Sequence, residues 1–257
     1  MCEIFGITAS RKIELNELLT EFFSHYVENP NGWGIATLDH GNISVEKEPL
    51  RVRDSLYLKH RLQSKIKSAH FFAHIRRATI GDINFENTHP FTLRDNTGRN
   101  WLLVHNGTIF EAPVLNKYQS VQEGSTDSER VLYYIVDRIN NSIEENWNSF
   151  DANDRIRLIE DILRELSPNN KLNVIISDAE YTYVHKNAEG TLFRSDRDDA
   201  VLFSTKPLDL KSWEEVPNNT LFVYREGKVV YTGKQHEFSY VEDPEKIKNL
   251  FLSYSYL

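Results

Sequence analysis

Position 2 holds the only cysteine of a 257-residue chain, directly behind Met1. Initiator methionine is ordinarily removed when the next side chain is small, and Cys2 would then carry a thiol and a free α-amine on one residue. An unperturbed α-amine has a pKa of roughly 8, so near neutral pH it can take the thiol proton, directly or through a water. Nucleophile and base are then supplied together, with no histidine between them. Taken alone, a cysteine at a strand start is more simply a small buried residue.

Four further segments supply what such a nucleophile needs. Ala73-His74-Ile75-Arg76-Arg77-Ala78-Thr79-Ile80-Gly81 runs from an apolar strand through two arginines into a turn. An arginine at a strand end offers a carboxylate a planar fork, the alternative being a solvated strand terminus. Glu86-Asn87-Thr88-His89-Pro90-Phe91 is a polar turn whose uncharged His89 would order either a loop or a ligand. Trp101-Leu102-Leu103-Val104-His105-Asn106-Gly107-Thr108 is an apolar run ending in Asn-Gly, the strongest short hairpin signal. Read as chemistry, the Asn106 amide and the Gly107 N–H form an oxyanion hole, each donor being worth roughly 3–4 kcal/mol. Thr126-Asp127-Ser128-Glu129 reads as a capping box opening a helix, and Asp127 there can also receive an α-ammonium group. Each segment alone has a plain structural explanation. Together they provide a nucleophile with its base, two oxyanion donors, a cation for a carboxylate and an anion for an ammonium, the set that hydrolysis of a glutamine side chain requires.

In this order, with Asn31-Gly32-Trp33-Gly34 between the first two, these segments resemble the class-II glutamine amidotransferases of the N-terminal-nucleophile hydrolase superfamily, and most closely their stand-alone YafJ-like branch. The resemblance spans about the first half of the chain. It implies an α+β fold, a four-layer αββα sandwich of two mainly antiparallel sheets. It implies Cys2 as nucleophile, Asn106 and Gly107 as oxyanion donors, Arg76 on the substrate α-carboxylate and Asp127 on the α-ammonium. Thr79, His89 and Trp33 match positions lining or supporting the substrate pocket. Arg77 stands where many synthase-linked relatives carry Trp, so the lid over the site differs here. No cofactor or metal is called for, and no acceptor-binding domain follows Asp127. The expected activity is hydrolysis of a γ-glutamyl amide, in glutamine or a glutathione-related γ-glutamyl compound, through a thioester. The alternatives are an ammonia-donating subunit with a separate partner chain, and a non-catalytic binding or regulatory protein on the same fold.

The elements that must position these residues can be read from periodicity. Residues 2–8 form a short strand, and apolar spacing predicts helices over 14–27, 55–68, 127–139 and 153–166. Strands are expected at 34–38, 43–45, 69–75, 100–104, 171–177, 181–185, 200–204, 220–224 and 228–232, the last two as a hairpin across Arg225-Glu226-Gly227. No Pro/Gly/Ser linker divides the chain, so a single domain over 1–257, two packed sheets with outer helices, is the economical expectation. A formal charge of -8 gives no electrostatic case for nucleic acid or anionic membrane. One cysteine excludes an intrachain disulfide and a Cys-rich metal site. With neither a signal peptide nor a membrane-length apolar run, a cytoplasmic protein is expected.

Overall fold

The computed structural model describes residues 2–145, 149–245 and 248. Its fold follows from alternation along the strands. In β1 (Glu3–Glu14), Phe5 and Ile7 join one apolar cluster while Ile4 joins another. The same division recurs in β4 (Lys67–Ile75), where Phe71, Ala73 and Ile75 oppose Phe72, and in β6 (Asn100–Thr108), where Trp101 and Leu103 oppose Leu102 and Val104. In β7 (Lys171–Ser177), Leu172, Val174 and Ile176 oppose Ile175. Strands apolar on both faces must be covered on both faces, and this dictates four layers.

One sheet also contains β2 (Trp33–Asp39), β3 (Asn42–Glu48), β9 (Phe193–Arg197), β10 (Ala200–Ser204) and β11 (Glu214–Glu215), in the order β11-β9-β10-β1-β4-β2-β3. The other adds β5 (Phe91–Arg94), β8 (Thr182–His185), β12 (Phe222–Arg225) and β13 (Lys228–Thr232), in the order β13-β12-β8-β7-β6-β5. Every pairing is antiparallel. Helices α1 (Asn16–Ser24) and α2 (Leu56–Gln63) cover the first sheet through Leu19, Phe22, Phe23 and Leu58. Helices α3 (Asp127–Glu145) and α4 (Ala152–Leu166) cover the second through residues such as Leu132, Ile135, Ile159 and Leu163. Ile4, Phe72, Val104, Ile175 and Phe203 fill the space between the sheets. The fold is the α+β sandwich of two antiparallel sheets that the resemblance implied. Among the described residues no helix is long and apolar enough to cross a membrane.

Several local expectations are corrected. The helix expected from residue 14 starts at Asn16, because Glu14 pairs with Lys67 across β1 and β4. The helix expected to reach residue 68 stops at Gln63, since the same pairing draws Lys67 into a strand. Strands β5, β9 and β11 lie where none was expected; their sequences are too short or too charged to show an apolar period. Asn106-Gly107 is no turn. It lies inside β6, paired with Asn173 and Leu172 of β7. Glycine is needed there because a Cβ would stand 1.9 Å from the Lys171 carbonyl oxygen, against which the strand is pressed. The expected turn at residues 225–227 is observed, with Glu226 and Gly227 both at positive φ, as a tight hairpin requires.

Candidate active site

The alternation that builds the core also aims the polar residues at the strand ends. Beyond Phe72, the inward positions of β4 are His74 and then Arg76. Beyond Val104, those of β6 are Asn106 and Thr108. Cys2 continues the inward series of Ile4 on β1. Cys2, Arg76, Asn106 and Thr108 therefore project from facing inner surfaces of the two sheets, at one end of the sandwich.

The contacts bear this out. Cys2 Sγ donates to the Arg77 carbonyl and accepts the Arg77 N–H, both at 3.2 Å. Burial pushes the thiol pKa up, opposed by the Arg77 backbone hydrogen bond and the charge of Arg76. Such a thiol stays protonated near neutral pH, so it needs a base to attack. Asn106 Nδ2 reaches Thr205 Oγ1 at 3.5 Å, and the same hydroxyl accepts the Ile4 N–H at 3.0 Å. Asn106 is buried, yet its Oδ1 has no hydrogen-bond partner among the described residues. A buried amide left half-satisfied is uncommon and calls for an explanation.

Arg76 is buried, and its guanidinium donates to the carbonyls of Ile80, Gly81 and Asp82 at 2.7–3.1 Å. It thereby folds the following loop back over the strand end. Its backbone is gripped in turn: Arg76 N–H donates to Gly32 O, and Asn31 N–H donates to Arg76 O. Gly32 has a φ of 138°, a conformation L side chains rarely adopt. This backbone clamp is the structural work of the Asn31-Gly32-Trp33-Gly34 segment. Trp33 itself is not brought to the cluster. Its side chain lies on the helix-facing side of β2, against Phe23 and Tyr57, with its indole N–H on Glu48.

Thr79 Oγ1 lies 3.3 Å from Thr108 Oγ1, tying the loop to the end of β6. Asn87 carries the frame further, donating to Asp82 O and Ser125 Oγ while its Oδ1 accepts the Ser125 N–H. Two residues on, Asp127 begins α3, and its Oδ2 accepts the Ile109 N–H at 2.6 Å. His105 anchors the same helix start from the outer face of β6, with Nδ1 2.9 Å from Ser128 Oγ. Only half of the expected capping box forms. Thr126 Oγ1 accepts the Glu129 N–H, but the Glu129 carboxylate turns to the N–H groups of Glu123 and Gly124. His89 stands one layer behind, stacked on His74 with ring centroids 4.1 Å apart. Burial holds both imidazoles neutral, that of His74 pushed down to about 3.

Sequence reasoning passed over Thr205, Asn173 and Lys171. Nothing local marks Thr205, which arrives because β10 pairs with β1 over a separation of some two hundred residues. Asn173 and Lys171 had a readable signal: they are the two polar members of the apolar run Lys171-Leu172-Asn173-Val174-Ile175-Ile176, spaced by two and thus on one face.

A family model described as class-II glutamine amidotransferases matches residues 1–194. An uncharacterized protein of Methanocaldococcus jannaschii is 30% identical over 265 residues, covering 91% of this chain and 72% of its own. The putative glutamine amidotransferase YafJ of Escherichia coli is 28% identical over 188 residues, covering 72% of each chain. Among solved structures, the glutamine phosphoribosylpyrophosphate amidotransferase of B. subtilis superimposes with a TM-score of 0.67 at 18% identity, over 91% of this chain and 49% of that enzyme. The chain thus spans about half the length of that enzyme, and the likeness is one of fold.

Proposed function

This chain belongs to the class-II glutamine amidotransferases, and from that premise we infer that it hydrolyses a γ-glutamyl amide bond with Cys2 as nucleophile. The observation that carries the reading is the convergence of Cys2, Arg76 and Asn106 on one end of the inter-sheet space, where the start of α3 adds Asp127. Cys2 Sγ adds to the amide carbon as its proton passes to the Cys2 α-amine. Asn106 Nδ2 and the Gly107 N–H receive the negative oxygen. Collapse of the intermediate expels the amine, which takes the proton from the α-ammonium. Water then adds to the γ-glutamyl thioester, releasing glutamate and restoring the thiol. Arg76 holds the substrate α-carboxylate and Asp127 the α-ammonium, with Thr79 fixing the loop between them.

The scheme requires a free α-amine on Cys2. Met1 lies outside the described residues, and its removal is tested by mass. The active fraction is expected to lack one methionine, and alkylation of Cys2 is expected to stop glutamate release. Full activity in protein that retains Met1 would defeat the self-base mechanism. Ammonia release from glutamine only when a second chain is added would favour the ammonia-donating subunit.

Arg76→Lys provides a further test. A lysine keeps the charge but lacks the planar set of N–H donors with which Arg76 holds three loop carbonyls. We expect KM for glutamine to rise at least about tenfold, roughly 1.4 kcal/mol and less than the roughly 2–5 kcal/mol that truncating a charged partner costs, because lysine keeps the charge, and proteolysis within residues 79–88 to accelerate. An unchanged KM would remove Arg76 from the carboxylate site.

A further inference from the structure

Thr205 follows the last residue of β10 and continues its inward series, in which Val201 and Phe203 join the apolar cluster between the sheets. Its backbone N–H donates to the Ile4 carbonyl at 3.1 Å. In a regular antiparallel ladder two residues so placed exchange both backbone hydrogen bonds, and the Ile4 N–H would return to the Thr205 carbonyl. It goes instead to Thr205 Oγ1, at 3.0 Å. The side chain thus takes over the last ladder bond of β1, two residues from Cys2. The same oxygen accepts from Asn106 Nδ2 across the inter-sheet space at 3.5 Å. One hydroxyl therefore touches both the strand that carries the nucleophile and the amide that faces it from the other sheet. The fold alone does not call for this, since the backbone carbonyl of Thr205 would complete the ladder as well.

We propose that Thr205 is a positioning residue for the oxyanion hole, its hydroxyl fixing which end of the Asn106 amide faces the Cys2 site. This rests on the hydrolytic reading above. A hydroxyl has one proton and two lone pairs. Thr205 Oγ1 accepts the Ile4 N–H and has the Ile4 carbonyl, at 3.5 Å, as the acceptor for its own proton. What it turns to Asn106 is then a lone pair, which only the Nδ2 end of the amide can meet. Nδ2 carries a second N–H, and that one is left for the substrate oxygen. An inverted amide would set Oδ1 against the Thr205 oxygen and offer the developing oxyanion an acceptor that repels it. A bond of 3.5 Å is weak, but it has only to choose between two orientations. Asn106 Oδ1 has no hydrogen-bond partner among the described residues, so nothing there favours the inverted one.

The test is a double-mutant cycle in kcat for glutamate release from glutamine, over Thr205→Val, Asn106→Ala and the two together. Valine keeps the shape of the side chain and removes the hydroxyl. Thr205→Val is expected to lower kcat about tenfold, a moderate coupling for residues in contact, with KM for glutamine unchanged. Thr205→Ser, which keeps the hydroxyl, should recover most of that loss. Once Asn106 is alanine, Thr205→Val should lower kcat by less than about twofold, because no amide remains to orient. Equal losses in the two backgrounds overturn the proposal, since Thr205 would then act through β1 or the fold. So do an undiminished kcat in Thr205→Val and a Thr205→Val protein that does not fold. An unaltered protein that releases no glutamate from glutamine or from γ-glutamyl compounds would sink the hydrolytic reading and this one with it, whereas an active parent with equal losses sinks this proposal alone.

Discussion

Cys2→Ala is expected to lower kcat for glutamate release by about 10⁴-fold or more, in line with the removal of other enzymatic nucleophiles, while the protein stays folded and binds glutamine. The substitution removes the attacking atom and one thiol that hydrogen-bonds to the Arg77 backbone. Losing those contacts costs about 1 kcal/mol, too little to unfold a sandwich with three apolar clusters. Alanine is also small, so removal of Met1 should proceed and leave the α-amine in place. Calorimetric titration with glutamine separates the steps: affinity retained with turnover lost is the expected pair. Turnover near the parent rate would show that the chemistry resides elsewhere, and loss of binding together with Tm would mean that Cys2 serves the fold. Cys2→Ser should be slowed severely as well, because an alcohol near neutral pH is the poorer nucleophile.

Asn106→Ala should lower kcat by about 10²–10³-fold, the range measured for removal of a single oxyanion donor, with little change in KM or Tm. The stability half of this expectation comes from the structure. Asn106 Oδ1 is buried with no partner among the described residues, and Nδ2 makes only a 3.5 Å contact with Thr205. Removing an amide so poorly satisfied costs the folded state little and relieves a desolvation penalty. Alanine is preferred to aspartate here because the position is buried, and a carboxylate there would confound catalysis with the cost of burying charge. A structural residue would show the reverse, with Tm lowered and kcat intact. Steady-state kinetics and thermal unfolding of this one variant therefore tell the two apart.

Much of the site is legible in the sequence because its residues come in short contiguous phrases. Residues 73–81, 105–108 and 126–129 each carry a functional group together with the turn or strand end that presents it. What the phrases leave open is local conformation. Asn106-Gly107 reads as a hairpin by its own propensity, yet it is a strand interior, since β7 passes so close that only glycine fits. Glu129 reads as half of a capping box, but two N–H groups of the preceding loop compete for its carboxylate and win. Trp33 stands in a segment that grips Arg76, yet strand alternation turns its side chain into the helix-facing core.

By itself, then, the sequence determined which groups are available for chemistry and which strands carry apolar residues on both faces, because composition and a period of two are local properties. Tertiary structure alone decided that these groups meet. Thr205 reaches Ile4 and Asn106 through the pairing of β10 with β1, Lys171 reaches the inter-sheet space through the pairing of β7 with β6, and Asp127 is fixed by the N–H of Ile109. Such contacts join residues far apart along the chain, and no window of local sequence contains both partners. They exist because two sheets, each apolar on both faces, bury most surface when stacked, and stacking sets their strand ends against one another.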